Sequence, residues 1–197
     1  PLSIVFRSNE IIRGEYVKEW VLSSVTISFY HYLTTEKYRQ QLTKSFKKNI
    51  EVFDTPSYFK DIHKYHQIIH ETDLANNFGL YYKKYKKKLS KYMQDAIAKG
   101  NKHSAKEYAE AIDFMKRSYD SYEEVFEDYH GVLSPSTTGV ADKGLKSTGS
   151  PEFCTVWTYM GLPSISLPLL TGSNNLPLGI QLIGDKLDDL KFLGVAN

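Results

Sequence analysis

Three histidines at helical spacing are the first candidates for chemistry in this chain. His63, His66 and His70 are separated by three and four residues, so a helix would carry all three imidazoles on one face. Imidazole nitrogens are common zinc ligands, and His66 with His70 forms the i, i+4 pair of helical zinc sites. Three ligands from one helix are nevertheless an awkward tetrahedral donor set. A partly buried polar face is therefore favoured, a helical metal-binding module is the alternative, and no cofactor is predicted.

The single cysteine, Cys154, is the next candidate. A lone thiol acts as a nucleophile when a histidine lies close to it in the fold. Its neighbours Phe153, Thr155 and Val156 are apolar or small, and none is a cation that would lower the pKa of the thiol. A buried structural cysteine is therefore favoured. One cysteine also excludes an intrachain disulfide, so a reducing compartment is the default and the predicted location is the cytoplasm.

Serine hydroxyls in the last third of the chain are the remaining candidates for a nucleophile. These serines are Ser134, Ser136, Ser147, Ser150, Ser164 and Ser166. None lies in a Gly-x-Ser-x-Gly elbow, and none is followed by a lysine three residues later. The sequence therefore offers no convincing pair of nucleophile and base, and no catalytic residue is predicted.

Tyrosines and lysines alternate over residues 81–88, which spell YYKKYKKK. Aromatic rings interleaved with basic side chains are typical of platforms for single-stranded nucleic acid. A helix with solvated lysines and a core stripe of tyrosine and leucine explains the pattern more simply. The formal net charge of +2 is also small for a nucleic-acid-binding protein. The favoured interpretation is the helix, with no nucleic-acid partner.

Length and composition bound the class of protein. At 197 residues the chain is long enough for a hydrophobic core, and its apolar and charged contents are typical of a soluble globular protein. No apolar run approaches the roughly 20 residues of a membrane span, so no membrane partner is predicted. The first residues lack the anatomy of a signal peptide. Because the chain begins at Pro1 within a strand-like run, its start is expected to be a cut.

Helical spacing of apolar residues dominates the middle of the chain. Residues 15–29 fit both a helix and a strand, and the predicted helices cover residues 34–46, 56–78, 83–99 and 104–128. Thr55 and Pro56 supply a cap and a first helical residue. Gly100 with Asn101 ends the third helix, and Ser104 opens the fourth.

Strand-like patterns mark both ends of the chain. Strands are predicted at residues 2–6, 50–53, 131–136, 164–167 and 178–183, with a buried helix at 153–160 and a last helix from Asp188. Pro168 is expected to close the first strand of the terminal hairpin, which should be a central strand covered on both faces. Residues 137–150 form a loop long enough to suspect a function. A helical region followed by strands predicts an α/β fold with a mixed sheet.

Residues 128–196 carry the motifs of a known family. Residues 128–136 spell DYHGVLSPS, residues 148–168 spell TGSPEFCTVWTYMGLPSISLP, and residues 176–184 spell LPLGIQLIG. In order and spacing these stretches, with the following Asp188-Asp189, resemble the C-terminal part of the amidase-signature hydrolases.

The resemblance implies one partial amidase-like domain with a mixed central sheet flanked by helices. Its parts would be residues 1–53, 54–128 and 129–197. Family members hydrolyse amide bonds with a Ser–cis-Ser–Lys triad that lies upstream of the stretch resembled here, and they need no cofactor. The chain alone is therefore expected to be inactive. The implied partners are an N-terminal amidase segment or partner chain, an amide substrate and, through an exposed sheet edge, a second copy.

The resemblance also implies a set of residues at the substrate pocket. Those residues are Gly149, Phe153, Cys154, Trp157 and Thr158. Core packing is the alternative for Phe153 and Trp157. Cys154 replaces a frequent asparagine of the family, Ser150 a frequent aspartate and Asp142 a proline, which bears on the substrate class. A non-enzymatic interaction protein that retains the fold is the alternative function.

Overall fold

The computed structural model describes residues 2–6, 50–54, 57–145, 147–172 and 175–196. The segments predicted at residues 15–29 and 34–46, and the cap at Thr55 and Pro56, lie outside the described residues. The chain divides into two compact units. The sheet unit comprises residues 1–59 and 121–197, and the helical unit comprises residues 60–120. The partition at residues 54 and 129 stays a prediction.

Five strands and five α-helices are found in the described residues. In chain order they are β1 (Leu2–Phe6), β2 (Ile50–Asp54), α1 (Ile62–Tyr85), α2 (Lys91–Gly100), α3 (Ala105–Asp128), β3 (Gly131–Pro135), α4 (Glu152–Met160), β4 (Ser164–Thr171), β5 (Pro177–Ile183) and α5 (Asp189–Ala196). Short 3-10 segments precede α1 (Ser57–Asp61) and follow it (Lys86–Lys88). No described helix is long and apolar enough to cross a lipid bilayer.

The strands form one sheet in the order β2-β1-β3-β5-β4. This mixture of helices and strands confirms the predicted α/β class. Each pair among the described strands is antiparallel, so the parallel pairs of a mixed sheet are not among them. β4 lies at the edge of this sheet and not in the predicted central position. Its alternate residues Ser164, Ser166 and Pro168 are exposed, as expected of a strand with one solvated face.

The terminal hairpin confirms one proline prediction and corrects another. β4 does not close at Pro168 but continues to Thr171. A register shift between Leu167 and Leu170 accommodates the proline, because an edge strand with a local bulge tolerates a residue that cannot donate a backbone hydrogen bond. Pro177 is the first residue of β5, where proline was expected.

An apolar cluster fills the interior of the sheet unit. It comprises Leu133, Phe153, Leu170, Leu178, Ile180, Leu182 and Phe192. Leu178, Ile180 and Leu182 alternate along β5 and therefore share one face of the sheet. Phe192 of α5 approaches the backbone so closely that a Cβ at Gly184 would lie 2.6 Å from its ring. Burial of each such side chain stabilises the fold by about 1.5–3 kcal/mol.

The helical unit shows where local signals decide the ends of helices. α1 continues through Gly79 to Tyr85, so the predicted break at residues 79–82 is wrong and the break lies at residues 86–90. The Ser90 side chain accepts a hydrogen bond from Met93 N (3.2 Å) and so sets the start of α2. The predicted end at Gly100 is confirmed. The start of α3 is also confirmed, because Ser104 and Glu107 form a reciprocal capping box.

A buried carboxylate, Glu71 of α1, connects the helices of this unit. Gln67 Nε2 donates to Oε1 (2.8 Å), and His103 Nε2 lies 2.8 Å from Oε2. The Lys99 ammonium lies 3.5 Å from Oε1. Burial alone would raise the pKa of Glu71, but the hydrogen bonds from His103 and Gln67 and the charges of Lys99 and His103 outweigh it. The pKa therefore lies below its ordinary value of 4.5, and the charged form stabilises the unit.

Because the pKa of Glu71 is lowered by folding, its stabilisation is present above pH 4.5 and is lost as the pH falls through the folded-state value. Glu71→Gln is expected to lower the free energy of unfolding by about 1–2 kcal/mol at pH 7. The difference from wild type should shrink below pH 4.5 in denaturant titrations at several pH values. Glu110→Gln, at an exposed i, i+4 pair with Lys106, is the control and should change stability little. A pH-independent deficit for Glu71→Gln would contradict this account.

Candidate functional site

A row of polar side chains crosses the sheet where β3 ends. The strand register pairs Ser134 with Gln181, and Gln181 with Ser166. Paired residues of antiparallel strands carry their side chains on the same face, so these three residues lie side by side on β3, β5 and β4. Ser134 and Gln181 are buried and Ser166 is exposed. The row therefore runs from the interior of the sheet unit to its surface.

A pair of serine hydroxyls lies at the exposed end of this row. Ser136 Oγ and Ser166 Oγ are 3.0 Å apart, and they meet over Gly179 of β5. A Cβ at Gly179 would lie 3.1 Å from Ser136 Oγ and 3.3 Å from Ser166 Oγ. The backbone is fixed at the same place, since Ser136 N donates to Gly179 O (3.0 Å). The glycine of the Leu-Gly-Ile-Gln stretch thus leaves the space that the serine pair occupies.

Two further side chains surround the serine pair. Gln181 Nε2 donates to Pro135 O (2.7 Å) and holds the last residue of β3. Cys154, from the first turn of α4, donates its thiol to Ser136 O (3.2 Å) and lies 3.8 Å from Gln181 Oε1. Such hydrogen bonds satisfy polar groups that burial removes from water. The result is a small set of hydroxyl, thiol and amide groups held by three strands and one helix.

The Cys154 thiol is half-buried, and this burial raises its pKa. The thiolate is the reactive form, so Cys154 is expected to react with iodoacetamide at pH 8 at least about tenfold more slowly than a free cysteine. Mass spectrometry of timed samples measures the rate. The same protein unfolded in concentrated guanidinium is the control and should react at the free rate. Equal rates in the native and unfolded protein would show that the thiol is neither buried nor hydrogen-bonded.

The structure distributes the five predicted site residues over different environments. Cys154 lies beside the serine pair, and a Cβ at Gly149 would lie 3.2 Å from Thr137 Oγ1, next in sequence to Ser136. Phe153 joins the apolar cluster. Trp157 is buried in an edge-to-face contact with Tyr122, whose ring centroid is 5.5 Å away. Thr158 is exposed. Substrate contact by these residues stays a prediction.

Sequence reasoning considered the serines as nucleophiles and did not bring Ser136, Ser166, Gly179 and Gln181 together. One local signal was available, because Ser164 and Ser166 alternate with Ile165 and Leu167 and so mark a polar face of β4. Within the described residues, no hydrogen bond joins either hydroxyl of the pair to a lysine or histidine. The arrangement is therefore suited to binding a polar group, as donor or acceptor.

The histidine face of α1 has partners of another kind. The His66 and His70 rings stack with centroids 5.8 Å apart, and His70 Nε2 lies 3.1 Å from Tyr92 Oη. Burial, and then the charges of His70 and His63, lower the pKa of His66. Among the residues that the structure describes, no group of three or more histidine, cysteine or acidic side chains is arranged to hold a metal ion. The described geometry therefore gives the metal-binding alternative no support.

Sequence comparisons place the chain beside enzymes that act on amides. A family model described as Amidase matches residues 33–193. The A subunit of glutamyl-tRNA(Gln) amidotransferase from Alkaliphilus metalliredigens is 31% identical over 96 residues, which cover 45% of this chain and 20% of that relative. The corresponding protein of Halothermothrix orenii is 35% identical over 83 residues, covering 39% and 17%. The matched part of the chain thus spans about a fifth of the length of these relatives.

Solved structures share the arrangement of helices and strands. An amidase crystal structure matches with a TM-score of 0.64 at 17% identity, over 86% of this chain and 42% of that chain. A 6-aminohexanoate cyclic dimer hydrolase matches with a TM-score of 0.52 at 16% identity, over 72% and 34%. At such identities the likeness concerns the fold alone.

Proposed function

Because this chain belongs to the Amidase family, we propose that it forms the C-terminal part of an enzyme that hydrolyses amide bonds. Membership confirms the resemblance noted over residues 128–196. The proposal is carried by one observation: the family's C-terminal motifs fold here into a polar cluster at the open edge of the sheet, around Ser136 and Ser166.

The proposed role of this cluster is to bind the polar part of an amide substrate. The Ser136 and Ser166 hydroxyls each donate or accept a hydrogen bond, which matches the carbonyl and N–H groups of an amide. Cys154 and Gly149 would border the same wall. Phe153 and Trp157 would support it from the apolar interior, and Thr158 would extend it at the surface of α4. A wall of this kind fixes the orientation of a substrate without taking part in bond cleavage.

The nucleophile and base are proposed to come from the remainder of the enzyme, on an N-terminal segment or a partner chain. Two observations support this division of labour. The hydroxyls of the serine pair have no described basic partner, and serine needs an adjacent base to attack a carbonyl. The matched stretch also covers only 20% of the Alkaliphilus metalliredigens relative.

A chimera tests the proposal. Residues 128–196 would replace the corresponding segment of the Alkaliphilus metalliredigens relative, and the amidotransferase activity that the relative's name states would be measured. The chimera is expected to remain active. Ser136→Ala with Ser166→Ala should raise KM about two- to tenfold, because each hydroxyl that is removed takes away a hydrogen bond to substrate. Ser164→Ala, exposed on the same strand, is the matched control.

The possible results separate the two parts of the proposal. An inactive but folded chimera would contradict the assignment of this segment to the hydrolase. An active chimera whose KM is unchanged by both serine substitutions would contradict the role of the serine pair. Ammonia release from simple amides by the chain alone, abolished by a serine-directed reagent, would show that the nucleophile lies within this chain.

A further inference from the structure

The end of α1 presents aromatic rings to solvent. Phe78, Tyr81, Tyr82 and Tyr85 recur at helical spacing and share one face of the helix. Tyr81 is 59% exposed, Phe78 is 41% exposed and Tyr85 is 40% exposed. The predicted core stripe of tyrosine and leucine is therefore wrong over these residues, because the helix extends past the packed part of the unit. An aromatic row left in water requires another explanation.

Lysines concentrate around this row. The lysine–tyrosine surface is defined here as Phe78, Tyr81, Tyr82, Tyr85 and Tyr92 with Lys83, Lys84, Lys86, Lys87, Lys88 and Lys91. Residues 74–94 contain no aspartate or glutamate. Lys91 pairs with Asp95 (2.7 Å), whereas the other five lysines make no ion pair with a described residue. Since the whole chain carries only +2, a small net charge conceals a strongly positive region.

The rings and ammonium groups of this surface are arranged together. Lys84 Nζ and Lys88 Nζ lie 5.2 Å and 5.6 Å from the centre of the Tyr85 ring. These cation–π contacts hold the lysines beside the rings. Tyr81 and Tyr92 have no such lysine among the described residues, and the His70 bond at 3.1 Å orients the Tyr92 ring. Two exposed tyrosines are thus left with ring faces open to a ligand.

We propose that the lysine–tyrosine surface binds single-stranded nucleic acid. Unpaired bases would stack on Tyr81 and Tyr92, and backbone phosphates would lie among the lysines, the combination used by strand-binding platforms. A protein partner fits less well, because the cores of protein interfaces are depleted in lysine. A bilayer also fits less well, since interfacial helices insert tryptophan, phenylalanine and leucine, and tyrosine dominates here. The proposal is independent of the hydrolase function.

Fluorescence anisotropy with labelled oligo-dT and oligo-rU of about 15 nucleotides, near the upper site size of strand-binding folds, tests the proposal on the whole chain. Saturable binding is expected at low salt, about 50 mM. The logarithm of the association constant should fall with the logarithm of the salt concentration, with a slope of about −0.7 for each phosphate neutralised. A duplex of the same length should bind less tightly at equal salt, because its bases are not free to stack.

Variants at exposed positions separate stacking from charge. Tyr81→Leu with Tyr92→Leu is expected to weaken binding about tenfold or more at unchanged salt slope. Lys83→Gln, Lys84→Gln and Lys87→Gln together should flatten the slope by about two, since each phosphate that is no longer neutralised reduces it by about 0.7. The control is the triple variant Lys60→Gln, Lys102→Gln and Lys116→Gln, whose exposed lysines lie elsewhere in the helical unit. It should bind almost as tightly as wild type, and equal melting temperatures would verify folding.

Several results would overturn the proposal. These are the absence of saturable binding at low salt, binding that ignores the tyrosine variants, and an equal loss of affinity in the control variant. Binding to vesicles rich in phosphatidylserine without binding to either oligonucleotide would assign the surface to an anionic membrane and would equally overturn it. Neither result would bear on the amidase chimera, so the two proposals fail separately.

Discussion

Replacing Gly100 with alanine is expected to lower the free energy of unfolding by about 3 kcal/mol, the upper part of the range for overpacked interiors. Gly100 is the last residue of α2, where it lies against the backbone of α1. A Cβ added there would meet Glu71 O, and it would lie 2.5 Å from Glu71 C and 3.0 Å from Ala75 Cβ. The obstacle is a helix backbone, which cannot rotate away as a flexible side chain does. The two helices must therefore separate.

Gly79→Ala is the matched control, because the substitution is the same and the helical unit is the same. Gly79 lies inside α1, and a Cβ there meets nothing within 4 Å. Alanine is a better helix former by about 1 kcal/mol, so this variant should equal or exceed wild type in stability. Urea unfolding followed by circular dichroism measures both. A Gly100→Ala protein as stable as wild type would show that α1 and α2 do not approach this closely.

Both glycines show what local sequence can and cannot predict. Gly100 with Asn101 was correctly predicted to end a helix, because the cap is a property of adjacent residues. Gly79 was wrongly taken as the end of another, because a glycine inside a helix costs only about 1 kcal/mol and the backbone hydrogen bonds of α1 continue across it. The capping hydrogen bond at Ser90, and not the glycine, determines where the next helix begins.

Residues that meet only in the folded sheet were beyond local reasoning. Ser136 and Ser166 are distant in sequence, and the register of β3, β5 and β4 is what joins their hydroxyls. Cys154 was identified from a motif, and the structure brings it to the same place. The tyrosines of α1 were misassigned to a core for the converse reason. Helical spacing identifies a common face, but the neighbouring elements decide whether that face is covered.

Trp157 shows how core and pocket roles can be separated by experiment. Trp157→Ala is expected to lower the free energy of unfolding by about 3–5 kcal/mol, because it empties a large buried site beside Tyr122. Thr158→Ala, at the next and exposed position of α4, should change it by less than about 0.5 kcal/mol. Denaturant unfolding measures both. Equal small effects would place the indole outside the core.

Trp157→Phe then distinguishes packing from substrate contact. The indole Nε1 is buried and has no hydrogen-bond partner among the described residues, so phenylalanine removes an unsatisfied donor and should cost only about 1 kcal/mol. If Trp157 acts by packing, the amidase chimera carrying this substitution keeps its KM once activity is scaled to the folded fraction. If the indole N–H binds substrate, KM rises by more than the loss of stability explains. The buried position of the ring leads us to expect the first result, with the serine pair and not Trp157 in contact with the amide.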